Sequence, residues 1–85
     1  MKEFRYVITD DLGIHARPAG LLVKEAALFQ SYIKIKKGEK EVDAKRIFGI
    51  MGLAAKKGDE ILLTAEGADE DEAIAAITEF LKANL

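Results

Sequence analysis

Eighty-five residues suffice for one domain, residues 1–85, and a chain this short buries only about 60–65% of its unfolded surface, which argues against a deep substrate cavity and for chemistry at the surface. Apolar residues make up 49% and charged residues 33%, and 13 basic against 15 acidic side chains leave a formal charge of −2, so nothing suggests a nucleic-acid footprint. Cysteine is absent, which excludes disulfides, thiolate metal ligands and thiol catalysis.

The first residues carry Lys2, Glu3 and Arg5 and lack the apolar run of a signal peptide; no stretch approaches the ~20 apolar residues of a membrane span. A cytoplasmic protein without membrane insertion is expected. Over residues 3–9, Phe4, Tyr6 and Ile8 alternate with Arg5, Val7 and Thr9, the period of a strand. Asp10-Asp11-Leu12-Gly13 breaks it as a loop. From Ala16 the spacing of Ala19, Leu22, Val23 and Ala26 marks one apolar helical face, which Phe29 continues to the helix end.

Residues 32–36 and 40–44 read as short strands, with Gly38 between them as the tolerant position of a hairpin. Lys34, Lys36, Lys37 and Lys40 interleave with Glu39 and Glu41, the pattern of a solvated face. Lys45 to Ala55 is apolar at Ile47, Ile50, Met51 and Ala54 and predicts a short helix. Gly49 and Gly52 weaken it by about 1 kcal/mol each, and either permit a close approach or keep it short. Lys56 to Asp59 is a turn, and residues 60–66 form a fourth strand around Ile61 and Leu63. In the last helix Asp69 stands as cap with Glu72 three residues on, and Glu70 and Asp71 suit the positive helix end. Its apolar face is Ala73, Ile74, Ile77 and Leu81, with Phe80 beside it.

The order βαββαβα predicts an α+β open-faced sandwich, a four-stranded, mostly antiparallel sheet with three helices on one face.

One segment breaks a rule. Helix starts favour Ser, Thr, Asp or Asn at the cap and acids in the first turn, yet the first helix opens with His15 and the cation Arg17. An anion there would turn that cost into a gain, since the N–H groups of Ala16 and Arg17 point outward and the guanidinium offers paired donors for phosphate. Pro18 suits the opening turn, and Gly20 costs stability unless something packs closely against it. A neutral imidazole at His15 is a competent nucleophile, and phosphoryl transfer asks mainly for positioning and charge stabilisation, with no metal or cofactor required. A lone histidine at a helix start is ordinarily a cap or a surface residue, and the residues alone leave that reading open.

Gly13-Ile14-His15-Ala16-Arg17-Pro18-Ala19 resembles the active-site signature of HPr, the phosphocarrier family of the bacterial phosphoenolpyruvate-dependent sugar phosphotransferase system. The likeness spans the chain, through Lys45-Arg46-Ile47-Phe48-Gly49-Ile50-Met51 and Gly67-Ala68-Asp69-Glu70. It implies that His15 is phosphorylated on Nδ1 by enzyme I and donates to the IIA domains of sugar transporters, with Arg17 neutralising the phosphoryl charge. It also implies a monomeric carrier, not an enzyme, that docks its partners through Gly20, Lys24, Ile47, Phe48 and Met51. Adjacent helical residues point about 100° apart, so Ile47, Phe48 and Met51 cannot all face inward. They are either core with one exposed member or an apolar docking patch. Arg46 departs from Gram-positive relatives, where a serine there is phosphorylated by a regulatory kinase. Two other outputs are a regulatory module read by its histidine phosphorylation state and an enzyme using His15 as general base. The second lacks another titratable group in the motif.

Overall fold

Strand alternation sorts the side chains before any helix is placed. In the computed structural model, which describes residues 1–85, β1 (Lys2–Val7), β2 (Tyr32–Lys37), β3 (Lys40–Asp43) and β4 (Glu60–Glu66) form one sheet in the order β1-β4-β2-β3. Every pairing is antiparallel. On the central strand Leu63 sits opposite Phe4 of β1 and Ile35 of β2, and Ile35 in turn faces Val42 of β3. Ile33, Ile35, Ile61, Leu63 and Ala65 are buried, while Tyr32, Lys34 and Lys36 between them face solvent.

Three helices cover the apolar side: α1 (Ala16–Ala26), α2 (Ile47–Gly52) and α3 (Glu70–Asn84). Their inward residues, Ala19, Leu22 and Ala26 of α1, Ile50 of α2, and Ala73, Ile77 and Leu81 of α3, join the strand residues in one core. The expected open-faced sandwich is therefore observed, with an antiparallel sheet throughout. Truncating any buried Leu or Ile of this cluster to alanine is a change that ordinarily costs about 2–5 kcal/mol.

Four departures from the sequence expectation bear on how the chain packs. β1 stops at Val7, because Ile8 exchanges backbone bonds with the 58–59 turn and Thr9 donates to Leu85. α1 ends at Ala26, so Phe29 packs on the core from the connection to β2 and not from the helix. α2 is six residues long, where Lys45 to Ala55 was expected. At its far end Ala54 adopts φ 53, a left-handed conformation incompatible with further helix. Gly49 of α2 lets β3 approach closely, since a Cβ there would lie 3.3 Å from Val42 Cβ on β3.

The fourth difference is Asp69. It precedes α3, but its carboxylate makes no cap bond. It accepts instead from the backbone N–H of Gln30 and Ser31, each at 2.9 Å, and from the Ser31 hydroxyl. Ser31 is buried, and its donors have no water to turn to, so a carboxylate with acceptor capacity to spare serves the α1–β2 connection rather than its own helix. Glu70, not Glu72, reaches back to the N–H of Gly67.

This clamp has a pH signature. The Ser31 hydroxyl first, then the Gln30 N–H, hold the Asp69 carboxyl below its ordinary pKa. A carboxyl depressed by folding stabilises above its unfolded value, near pH 4, and that contribution disappears as pH falls through the folded value. Asp59, through the Lys56 N–H, and Glu70, through the Gly67 N–H, shift the same way. Asp69→Asn is expected to melt lower at neutral pH and to lose less on acidification from pH 5 to 2 than the wild type. Thermal melts across that range check it; parallel curves would remove the clamp from the acid response.

Candidate functional site at the start of the first helix

The loop before α1 is fastened from several directions. A backbone oxygen of Leu85 accepts from the N–H of Thr9 and Asp10 and from the Thr9 hydroxyl. Gly13 N–H donates to the Asp10 carbonyl, and Ile14 N–H donates to the Ala55 carbonyl at 2.9 Å. Gly13 and Ile14 are buried, as are Pro18 and Ala19 beyond the histidine. His15 thus sits between two anchored segments.

His15 is the N-cap of α1 in extended backbone conformation (φ −116°, ψ −175°), half-buried, and its side chain caps nothing. Its carbonyl accepts the first bond of the helix, from Ala19 N–H at 2.9 Å. Pro18, in the first turn, has no N–H to leave unsatisfied. The N–H groups of Ala16 and Arg17 donate to no protein acceptor, and no acidic side chain occupies the first turn. The Arg17 guanidinium is exposed and takes part in no ion pair of the chain, although seven others form.

His15 and Arg17 line one shallow depression of about 140 Å³ together with Asp10, Pro18, Leu21 and Asn84. It holds an open group at a surface and does not enclose a substrate. A larger concavity lies on the outer sheet face among Glu3, Lys34, Lys36 and Glu41, away from the histidine. No three His, Cys, Asp or Glu side chains converge as a metal site would require.

The other candidate residues lie beside this depression rather than in it. Gly20 meets Ile47, whose Cδ1 would lie 3.8 Å from a Cβ at Gly20, so α2 abuts α1 one turn beyond the histidine. Ile47 is half-buried against the core, whereas Phe48 is 87% exposed and Met51 40% exposed. Ile47 thus sides with the core while Phe48 and Met51 share the exposed side, with Ile50 supplying the buried anchor of α2. Lys24 is exposed. Leu21 and Asn84 are additions. Leu21 lies off the apolar stripe of α1, and Asn84 arrives from the far end of α3, where local periodicity gives no hint of His15.

A four-stranded antiparallel sheet under three helices, with a histidine held open at the first helix start, defines the class of small histidine-bearing phosphocarriers. The chain superimposes on the mycoplasma histidine-containing phosphocarrier protein with a TM-score of 0.94 at 44% identity, over 96% of this chain and 93% of that one. A family model described as "PTS HPr component phosphorylation site" matches residues 2–83, and the chain belongs to the HPr family of phosphocarrier proteins. The phosphocarrier protein HPr of Lysinibacillus sphaericus is 46% identical over 81 residues, 95% of this chain and 92% of that protein. A crystallised HPr dimer from Thermoanaerobacter tengcongensis is similar at 44% identity with a TM-score of 0.78, over 98% of this chain and 95% of the other. No helix is long and apolar enough to cross a membrane.

Proposed function

We propose that His15 accepts a phosphoryl group from enzyme I and passes it to IIA domains of sugar transporters, residues 1–85 acting as a single carrier unit in the cytoplasm. The observation that carries this reading is the opening of α1. A nucleophilic imidazole, two N–H groups without protein acceptors and an unpaired guanidinium share one helix start.

In the transfer, a lone pair on a neutral ring nitrogen of His15, Nδ1 by family resemblance, forms the new bond to phosphorus. The bond to the donor breaks and its electron pair leaves with the donor. The phosphoryl oxygens then lie where the Ala16 and Arg17 N–H groups and the positive end of α1 stabilise them, with Arg17 as forked partner. The same step run towards a IIA domain returns the imidazole. Because the depression is open, donor and acceptor proteins supply the rest of the reaction centre, and the chain turns over nothing by itself. In this reading one copy is the transfer unit.

The test is to incubate the protein with phosphoenolpyruvate and enzyme I and follow intact mass. Uptake of one acid-labile phosphoryl group supports the proposal; no uptake from enzymes I of several bacteria overturns it. Arg17→Ala is expected to slow loading roughly tenfold to a hundredfold, the worth of one or two charge-assisted hydrogen bonds in the transition state. Rapid-quench loading rates check this, and an unchanged rate removes Arg17 from the site.

A further inference from the structure

Besides His15, two residues of the depression carry charge, Arg17 and Asp10, and their signs are opposite. They do not pair with each other, and neither belongs to any ion pair of the chain. Asp10 is fixed where it stands. Its N–H donates to a Leu85 backbone oxygen at 2.8 Å, its carbonyl accepts from Gly13 N–H at 3.0 Å, and its Oδ1 accepts from Leu12 N–H at 2.8 Å. The residue is half-buried, so it cannot swing out to follow the guanidinium without losing these contacts. The next carboxylate behaves differently. Asp11 holds Lys57 Nζ at 2.8 Å, its side chain is 84% exposed, and it does not line the depression.

Building on the assignment of His15 as phosphoryl acceptor, we propose that Asp10 sets how firmly the loaded group is held, its carboxylate opposing the charge that Arg17 and the start of α1 attract. Loading brings a charge of about −1.5 to −2 into the depression. The helix start, the two free N–H groups and the guanidinium all stabilise that charge, and by themselves they favour retention. A carrier must also release. A like charge fixed in the same small depression raises the free energy of the loaded form, whereas a neutral imidazole gives it nothing to repel. On unloading, the bond from the ring nitrogen to phosphorus breaks and its electron pair stays on the imidazole. The phosphoryl group bonds to the nucleophile of the accepting protein, and the repulsion from Asp10 is relieved in that direction. Half-buried, Asp10 is screened less than Asp11 at the open surface.

The experiment measures the loading equilibrium rather than a rate. Wild type, Asp10→Asn and Asp11→Asn are each brought to equilibrium with enzyme I at graded ratios of phosphoenolpyruvate to pyruvate, and the loaded fraction is read by intact mass. Asparagine keeps an oxygen for the Leu12 N–H, so Asp10→Asn removes the charge and leaves the turn. It is expected to reach half-loading at a ratio about three- to tenfold lower than the wild type, the gap narrowing as salt rises from low to physiological ionic strength. A purely structural role gives no such salt dependence. Asp11→Asn makes the same charge change outside the depression and should titrate with the wild type. Coincident curves for Asp10→Asn and wild type overturn the proposal, as does a shift towards weaker loading, which would make the carboxylate a stabiliser. An equal shift in Asp11→Asn also overturns it, because net charge and not position is then felt. A wild-type protein that is not loaded at any ratio overturns the acceptor assignment itself and this proposal with it.

Discussion

His15→Ala protein is expected to take up no phosphoryl group from enzyme I, a fall to background and not a slower rate. The chain has one histidine and no cysteine, and alanine leaves α1 without a nucleophile at its start. Arg17 and the free N–H groups can hold an anion but form no bond to phosphorus. Stability should hardly move, because the imidazole is half-buried and makes no hydrogen bond within the protein. A change within about 0.5 kcal/mol is typical of such a surface position. The pairing of the two measurements matters. Lost uptake with an unchanged melting curve places the chemistry on the side chain. Phosphoryl uptake that persists in His15→Ala moves the acceptor elsewhere and removes the mechanism proposed for α1.

That this residue stood out in the sequence follows from its misfit. A helix that opens on histidine and arginine contradicts capping preference, and the structure offers no internal partner that would resolve the contradiction. The sheet was legible for the opposite reason. Ile33, Ile35, Ile61 and Leu63 obey the period of two, and burial follows it position by position. What escaped was decided by tertiary competition. Asp69 looks like a cap because it stands three residues before Glu72, yet the buried Ser31 donors claim its carboxylate. Phe29 fits the spacing of α1, but the helix has ended three residues earlier, and the ring packs from a connection. Asn84 is adjacent to His15 only because α3 ends against the loop that Thr9 and Asp10 begin. The α2 side chains proposed for docking lie between these cases. Helical geometry showed that Ile47, Phe48 and Met51 could not all be inward, and only the packed structure shows Phe48 outermost.

Gly13→Ala is the substitution expected to damage the fold most while changing a single methyl group. Gly13 has φ 66°, a conformation that costs an L-residue about 1–2 kcal/mol. The added Cβ would also lie 2.4 Å from the Ala55 carbonyl oxygen and 2.7 Å from Lys56 Cα. Both are backbone atoms, so no side chain can swing aside, and overpacking of this kind adds about 1–3 kcal/mol. The sum, about 2–5 kcal/mol, corresponds to a Tm lower by roughly 10–30 °C in a domain of this size. Gly38→Ala is the control: its φ is 61°, but nothing lies within 4 Å, so only the conformational cost applies. Because Ile14 N–H bonds the same Ala55 carbonyl, relief of the clash must move the segment that delivers His15. Loading of Gly13→Ala should therefore fall even at temperatures where circular dichroism shows it folded. If the two glycine variants melt together and load alike, the Ala55 contact does not hold the histidine, and the geometry of the α1 start must be set by the Leu85 contacts alone.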